Sequence, residues 1–594
     1  MFTTARTYTG RITQTTEERP QKNGDIYVYQ VHRWYDPNTR NTRRKHELLG
    51  IKDPVSGEIR STRPKKKQSA EAPANTPVTT KITTNGMICI IKHFSESSGV
   101  SEEVMSALPK DEGNALKILT LAWYAFATDG RTWTRAMKWT SDYLPLLPYS
   151  YGSISKNMYT NLFHYIGENS GIKWSIFKAR ASRFSEGELI AWDSTVYECY
   201  EKDVHDSTKG VTKDGLIRDV YKVFFFYSVT SRKLISFEKI PGNIADCTTV
   251  PYAISMMKAL ELKKPEILQD NGYTDDNTIG ELLHHKFHFI TRILPSTKWI
   301  KDDLNRYRTA LMAGTAPANM VYSDAEFSGI SFRVKHTFYH ARAYKSTKKK
   351  LEAGDREPIE AYVNVFVYYS TYKKGTDDKE FRTRYADVRS DILAGSMLDA
   401  DSKTFRDQYM SLTYDDQGNV VNVTPVQKAI DAQFRNHGFL VLITDHEKDI
   451  EKALQKFRSR EKIEERIKGH KSHTGGDTSK TGSDEFLEGE LLVEFLADTI
   501  RESMLVKLER MKAELGVPNG DSNHDATENM KIQTSLKKWL RKSSIANILE
   551  AFDTTNIEEV TSNGKSSKMM GSTTSRDRMF LQELDINDFG KVLT

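Results

Sequence analysis

Glu266-Ile267-Leu268-Gln269-Asp270-Asn271-Gly272-Tyr273 is the stretch on which the fold turns. A short β-compatible run stops at an aspartate and meets Asn-Gly, a turn pair, so it predicts a strand that ends at Asp270. Leu189-Ile190-Ala191-Trp192 runs into Asp193-Ser194-Thr195 in the same way. Between the two, Val220 to Val229 is a continuous β-favouring run, Lys233 to Ile240 alternates, and Pro241-Gly242 closes it. Helical patterning covers about Thr249 to Leu262. After Asp270 come a turn, a helix to His285 and a strand from Phe287 to Ile293. The resulting β-β-β-α-β-α-β order implies a mixed-sheet α/β domain.

Outward from this core, residues 5 to 60 read as short strands, with Ile26-Tyr27-Val28-Tyr29 alternating and turns at Asp36-Pro37-Asn38 and Asp53-Pro54-Val55-Ser56-Gly57. Residues 69–80 have linker chemistry. Pro109 to Arg183 is mainly helical, with Leu116, Leu119, Trp123 and Phe126 on one face. Residues 295–430 break the rhythm, with basic loops at Lys345 to Lys350, a β-prone stretch Ala361 to Thr371 and a polar helix near Lys379 to Ala394. A buried strand then runs from Gly438 to Asp445, and a long helix starts near Lys448. A Gly/Ser/Thr-rich loop (472–484) and a helix Gly489 to Leu515 follow. The expected division is 1–68 basic β module, 69–80 linker, 81–186 helical domain, 187–294 first part of the core, 295–430 insertion, 431–516 second part of the core and 517–594 a charged, partly helical C-terminal region.

Composition narrows the class. With 594 residues, 38% hydrophobic and 28% charged, the chain has ample core for several domains and is neither disordered throughout nor fibrous. Three scattered cysteines, Cys89, Cys199 and Cys247, give no disulfide framework and no zinc finger, and suit a reducing compartment. No apolar run approaches the roughly 20 residues of a membrane helix, and Met1 to Arg6 lacks an apolar signal core, so a cytoplasmic protein is expected. The net charge of +6 sits in one place: residues 1–68 hold 15 Lys and Arg against 7 Asp and Glu. A cation-rich end, including Arg43-Arg44-Lys45 and Lys65-Lys66-Lys67, suits a polyanion, because neutralised phosphates release counterions. It also suits a solvated tail.

If the strands ending at Asp193 and Asp270 are neighbours, both carboxylates leave one sheet edge close together, an arrangement that a divalent cation stabilises. A strand-end aspartate alone serves equally as a turn or helix cap. Downstream, Phe457, Arg460, Glu464 and Lys471 fall within an arc of about 60° on a continuous helix. A solvated charged face has the same pattern. Gly564-Lys565-Ser566 lacks the first glycine of a phosphate loop, since position 559 is Glu. His284, His285 and His288 read as the end of a helix and the start of a strand rather than as metal ligands. Trp192 reads as core, Trp299 as packing or as a base-stacking group, and Lys348 and Lys349 as either a DNA-tracking loop or a solvated turn.

Phe457-x2-Arg460-x3-Glu464-x6-Lys471 resembles the Y-x2-R-x3-E-x6-K signature of bacterial insertion-sequence DDE transposases of the IS-four superfamily, with Phe in place of Tyr. The Asp193-Ser-Thr block, Pro241-Gly-Asn-x2-Asp246, Asp270-x-Gly-Tyr and Gly489-x5-Phe495-Leu-Ala497 also resemble that group, in layout closest to its IS-sixteen-thirty-four branch. The likeness covers roughly residues 20–60 and 110–515.

The resemblance implies an RNase H-like core whose first and fourth strands are adjacent, with a β-rich insertion before the helix that carries Glu464. Asp193, Asp270 and Glu464 would then be the catalytic carboxylates, holding two Mg²⁺ or Mn²⁺ ions. Arg460, Lys471 and Phe457, with Arg43, Arg44, Lys45, Lys65, Lys66, Lys67, Lys348 and Lys349, would contact DNA. The expected activity is cleavage at inverted-repeat ends and strand transfer by a homodimer on double-stranded DNA, without a nucleotide cofactor, in a bacterial cytoplasm near the nucleoid. A transposase-derived DNA-binding protein without strand transfer is the alternative.

Overall fold

The structure, a computed structural model, describes the chain except residues 1–12, 22–24, 37–40, 54–55, 61–78, 130–131, 202, 213–215, 245, 270–273, 323–324, 342–355, 462–477, 480–481, 517–523, 563–564, 571–572 and 587–594. Two units separate: residues 1–79 with 561–565, and residues 80–560 with 566–594.

The first unit holds a four-stranded antiparallel sheet in chain order, β1 (Thr13–Pro20), β2 (Ile26–Asp36), β3 (Asn41–Lys52) and β4 (Ile59–Arg60). Val28 and Val31 are its buried apolar side chains. Arg33 and Arg44 stand directly opposite each other on β2 and β3, and both are exposed.

The second unit opens with β5 (Thr79–Asn85) and six helices, α1 (Gly86–Ser97), α2 (Val100–Ala107), α3 (Glu112–Thr128), α4 (Ala136–Asp142), α5 (Lys156–Glu168) and α6 (Ser170–Ala181). Side-chain caps start several of them, as where Asp111 accepts from the Asn114 N–H at 3.2 Å. Inside the bundle Arg180 meets Glu103 at 2.8 Å, with both side chains nearly inaccessible.

The next elements are β6 (Leu189–Cys199), β7 (Thr208–Val211), β8 (Ile217–Ser228), β9 (Lys233–Pro241), α7 (Val250–Ala259), β10 (Glu266–Gln269), α8 (Asp276–His284) and β11 (His288–Ile293). β10 lies between β6 and β11, parallel to both; β8 runs antiparallel to β6, and β9 antiparallel to β8. Every residue from Val223 to Ser228 is buried, as expected of a strand covered on both faces.

Residues 295–430 divide into two parts. After α9 (Lys301–Met312), the strands β12 (Ala318–Tyr322), β13 (Ala325–Ala341) and β14 (Arg356–Tyr369) extend the same sheet. Only α10 (Thr371–Leu393), α11 (Ala400–Tyr409), β15 (Met410–Tyr414), β16 (Val420–Pro425) and α12 (Gln427–Phe434) enclose a core of their own, around Phe381, Phe405 and Tyr409. β17 (Phe439–Thr444) then inserts between β14 and β11, antiparallel to both. The result is an eleven-stranded mixed sheet.

α13 (Ile450–Arg458) follows, capped by the Asp449 carboxylate, which accepts from the N–H groups of Glu451 and Lys452. The long helix expected from Lys448 therefore ends, in its described part, at Arg458, with Ser459 as its C-cap. A two-residue strand, β18 (Thr478–Ser479), pairs with β6 at Glu198 and Cys199, and a 31-residue helix, Asp484–Glu514, runs past α3 and α5. The C-terminal region is more than a charged tail. Its helices His524–Lys542, Ile545–Asp553 and Ser575–Glu583 bury Leu540, Phe552 and Phe580 in the main core.

Candidate catalytic site

Side chains alternate across β6 with the period of a strand. Trp192 is buried at 1% exposure among Phe224 and Phe226 of β8, and Asp193 is half-buried on the opposite face. Asp193 is the fifth residue of the strand rather than its end, which corrects the sequence expectation. β8 pairs with β6 as far as Glu198, whereas β10 pairs only from Leu189 to Ala191, so the strand ends beside Asp193 on one flank alone. On that flank β18 resumes pairing at Glu198. The Ser194 N–H donates to Asp193 Oδ1 at 2.9 Å.

β10 is set beside β6 with Glu266 opposite Leu189, Ile267 opposite Ile190 and Leu268 opposite Ala191. Asp270 lies outside the described residues. Its neighbour Gln269 is fully buried, and neither its Oε1 nor its Nε2 has a hydrogen-bond partner; Thr195 Oγ1, two residues beyond Asp193, is in the same state. Unsatisfied buried groups of this kind cost about 1–3 kcal/mol each. Beyond the undescribed 270–273, the Thr274 hydroxyl is bonded to that of Thr291, the β11 residue opposite Gln269.

α13 is pinned to this part of the sheet by charge. The Lys456 ammonium bridges Glu266 at 2.7 Å and Glu447 at 2.9 Å. Burial works against that ammonium, but the two carboxylates outweigh it and hold its pKa above the ordinary lysine value. Burial likewise pushes the Glu447 carboxyl up, and the Asp449 N–H, the Lys456 ammonium and the Lys448 N–H together bring it down to about 2. Glu266 also faces His446 at 3.7 Å, and the His446 ring stacks on His288 with centroids 4.5 Å apart. His288 Nδ1 is 2.7 Å from Asp445.

Of the residues the spacing singled out, Phe457 is in α13 and packs partly buried against the core. Arg460 follows in a turn, its N–H donating to the Phe457 carbonyl at 3.2 Å. Glu464, Lys471, Lys65, Lys66, Lys67, Lys348 and Lys349 lie outside the described residues, as does the side chain of Arg43. Arg44 and Lys45 are exposed on β3 of the first unit. His284 ends α8 and His288 begins β11, as read from sequence, and Trp299 packs by stacking on His336 at 4.4 Å. Among the described residues no group of three or more His, Cys, Asp or Glu could hold a metal ion. Sequence reasoning missed the Glu266–Lys456 pair, because the two residues meet only through tertiary packing and leave no periodic signal.

Residues 185–497 match the family described as Transposase DDE domain. The chain belongs to that family. The match in this DDE transposase-family chain begins just before β6 and ends within the long helix, so it takes in Asp193 and the elements around it. Membership makes the protein a transposase of the polynucleotidyl-transferase type. Among solved structures, a cryo-EM structure of a piggyBac transposase synaptic complex with hairpin DNA is similar at 8% identity, with a TM-score of 0.31 over 79% of this chain and 82% of that one. No curated protein matches. Among the described residues no helix is long and apolar enough to cross a membrane.

Proposed function

We propose that the chain is a DNA transposase of the IS-four type, closest to the IS-sixteen-thirty-four branch, which binds inverted-repeat ends and cleaves and joins strands at Asp193, Asp270 and Glu464. The observation that carries this reading is the parallel register of β6 and β10. Two residues beyond its last pair, Ala191 with Leu268, the sequence has Asp193 after one strand segment and Asp270 after the other. Leaving aside the short β7, β6 and β10 are the first and fourth strands of the set and are adjacent, which supports an RNase H-like core.

The third carboxylate, Glu464, is assigned from the spacing Phe457-x2-Arg460-x3-Glu464-x6-Lys471. Strand alternation gives Glu266 and Leu268 one face, and Glu266 meets Lys456 of α13 on that face.

Three carboxylates are hard oxygen donors that suit Mg²⁺ or Mn²⁺. Two such ions, when bound, would activate the attacking oxygen and stabilise the leaving one at phosphorus. In this reading the chain's own residues do the rest. The Ser194 N–H orients Asp193. Arg460 and Lys471 hold phosphates beside the carboxylates, the first through its planar fork and the second as a point charge. Phe457 keeps the apolar contact of the signature tyrosine without its hydroxyl. The basic residues of the first unit and Lys348 and Lys349 of the loop 345–350 contact the DNA backbone, fixing register rather than reading bases. A homodimer on paired ends completes the assembly, in the cytoplasm.

The test is incubation of the protein with Mn²⁺ and DNA carrying the inverted repeats that flank its gene, beside Asp193→Asn and Glu464→Gln. Cleavage by the wild type and loss in both variants is expected. Cleavage that survives Glu464→Gln removes that residue from the site, and binding without cleavage by the wild type favours a DNA-binding descendant.

A further inference from the structure

The strand registers carry one face of the sheet from Asp193 to the ribbon formed by β13 and β14. Ala191, two residues before Asp193 and on the same face of β6, is opposite Leu268; Leu268 is opposite Ile290, Ile290 opposite Thr444, Thr444 opposite Asn364, and Asn364 opposite Arg333. Paired residues share a face. Arg333 therefore stands on the Asp193 side, five strand spacings or about 24 Å across the sheet. The other side of the ribbon is packed, with Tyr307 of α9 stacked on Phe332 at 6.0 Å and Trp299 on His336 at 4.4 Å. The Asp193 side is open. It exposes Arg333, Lys335 and Arg356, and Tyr362 and Tyr339 are 54% and 41% exposed. Arg333 lies over the Tyr362 ring at 4.7 Å, and Lys335 meets Glu360 at 2.7 Å.

We propose that this open face is a contact surface for duplex DNA, gripping the phosphate backbone of the element end that is cut at Asp193. The inference rests on the transposase reading above and extends it to residues outside the carboxylate set. From Arg333 to Ala341 and from Arg356 to Tyr362, the face carries Arg333, Lys335 and Arg356 against Glu360 alone, a balance that favours a polyanion. An exposed ion pair such as Lys335 with Glu360 contributes so little that a phosphate can take over the ammonium. A guanidinium laid on a tyrosine ring is held in place while the N–H groups at its edge remain directed outward for a phosphate. Tyrosine hydroxyls also bond phosphate oxygens, which gives two large exposed aromatics a use. Arg333 and Lys335 are about 6.7 Å apart along their strand, close to the axial advance of two nucleotides in one DNA strand. One turn of duplex, about 34 Å, spans the distance from Asp193 to the ribbon.

The experiment follows fluorescence anisotropy of a duplex carrying the inverted repeat that flanks the gene, titrated with the full chain between about 50 and 200 mM NaCl, for the wild type, Arg333→Gln/Lys335→Gln and Tyr362→Ala. Each lost phosphate contact makes the slope of log affinity against log salt shallower by about 0.9. The double variant should therefore melt with the wild type and bind with a slope shallower by about 1.8. Either single variant, which serves if the double variant is unstable, should show half that change. Tyr362→Ala, which keeps the Arg333 charge and removes its support, should weaken binding with a smaller change of slope. A double variant with the slope and affinity of a wild type that binds the duplex overturns the ribbon contact and leaves the transposase reading standing. A wild type that binds no duplex overturns both. A double variant that keeps the wild-type slope but loses self-association by light scattering assigns the face to a second copy of the chain, and this too overturns the DNA contact.

Discussion

Asn85 Nδ2 donates to the main-chain carbonyl of Asp553 at 2.7 Å, joining the cap of α1 to the end of a helix 468 positions further along the chain. The same side chain uses its Oδ1 to accept from the Ile88 N–H at 3.0 Å, and Nδ2 also reaches Asn556 Oδ1 at 2.9 Å. One amide therefore starts a helix and holds the C-terminal region against it. Asn85→Ala should lower stability to urea by about 1–3 kcal/mol, the sum of a lost cap and a lost tertiary bond. Asn85→Ser, which keeps a capping oxygen and loses the donor to Asp553, should cost less. Wild-type stability in a variant that keeps the cap but lacks the donor to Asp553 would remove the tertiary bond from the explanation.

Gly489 and Gly167 let the long helix Asp484–Glu514 approach α5. A Cβ at 489 would stand 2.2 Å from the Phe163 carbonyl oxygen, and one at 167 would stand 2.0 Å from that of Glu485. Backbone cannot move aside as a side-chain tip can. Gly489→Ala is therefore expected to destabilise by about 1–3 kcal/mol or more, read as a lower melting temperature by calorimetry. A variant that melts with the wild type would mean that the two helices part without cost.

Glu447 should give the protein an acid-sensitive component. Its folded pKa of about 2 lies below the ordinary 4.5, so the unfolded chain takes up the proton first as pH falls. Its contribution is complete above the unfolded value and is lost between 4.5 and about 2. Urea unfolding at pH 7, 5 and 3 should show Glu447→Gln less stable than the wild type at neutral pH, with the gap closing toward pH 3. A gap constant across that range would mean that the carboxylate charge is not what holds Lys456.

Much of the core was legible because both strand and helix periods are strong there. The run at Val220–Val229 became β8, the short run at 266–269 became β10, and the helix ending at His284–His285 and the strand after it lie where the pattern put them. Asp193 was misplaced within its strand because Ser194 and Thr195 look like a turn in one dimension. Thr195 and Tyr197 are in fact buried and continue the ladder with β8. The C-terminal region reads in sequence as charged and partly helical, with no sign of a core, because Leu536, Leu540, Phe552 and Phe580 are spread thinly among polar residues. Their burial depends on α1 and the other tail helices being present.

The order of strands and helices, the basic bias of the first 68 residues and the spacing of Asp193, Asp270, Phe457, Arg460, Glu464 and Lys471 belong to the sequence, because local periodicity and charge need no partner. Which strand lies beside which belongs to the folded chain. The pairing of Leu189–Ala191 with Glu266–Leu268, and the capture of Lys456 by Glu266 and Glu447, join residues far apart in sequence through strand pairing and burial. No short-range pattern encodes such contacts, because each exists only once the intervening chain has closed into the sheet.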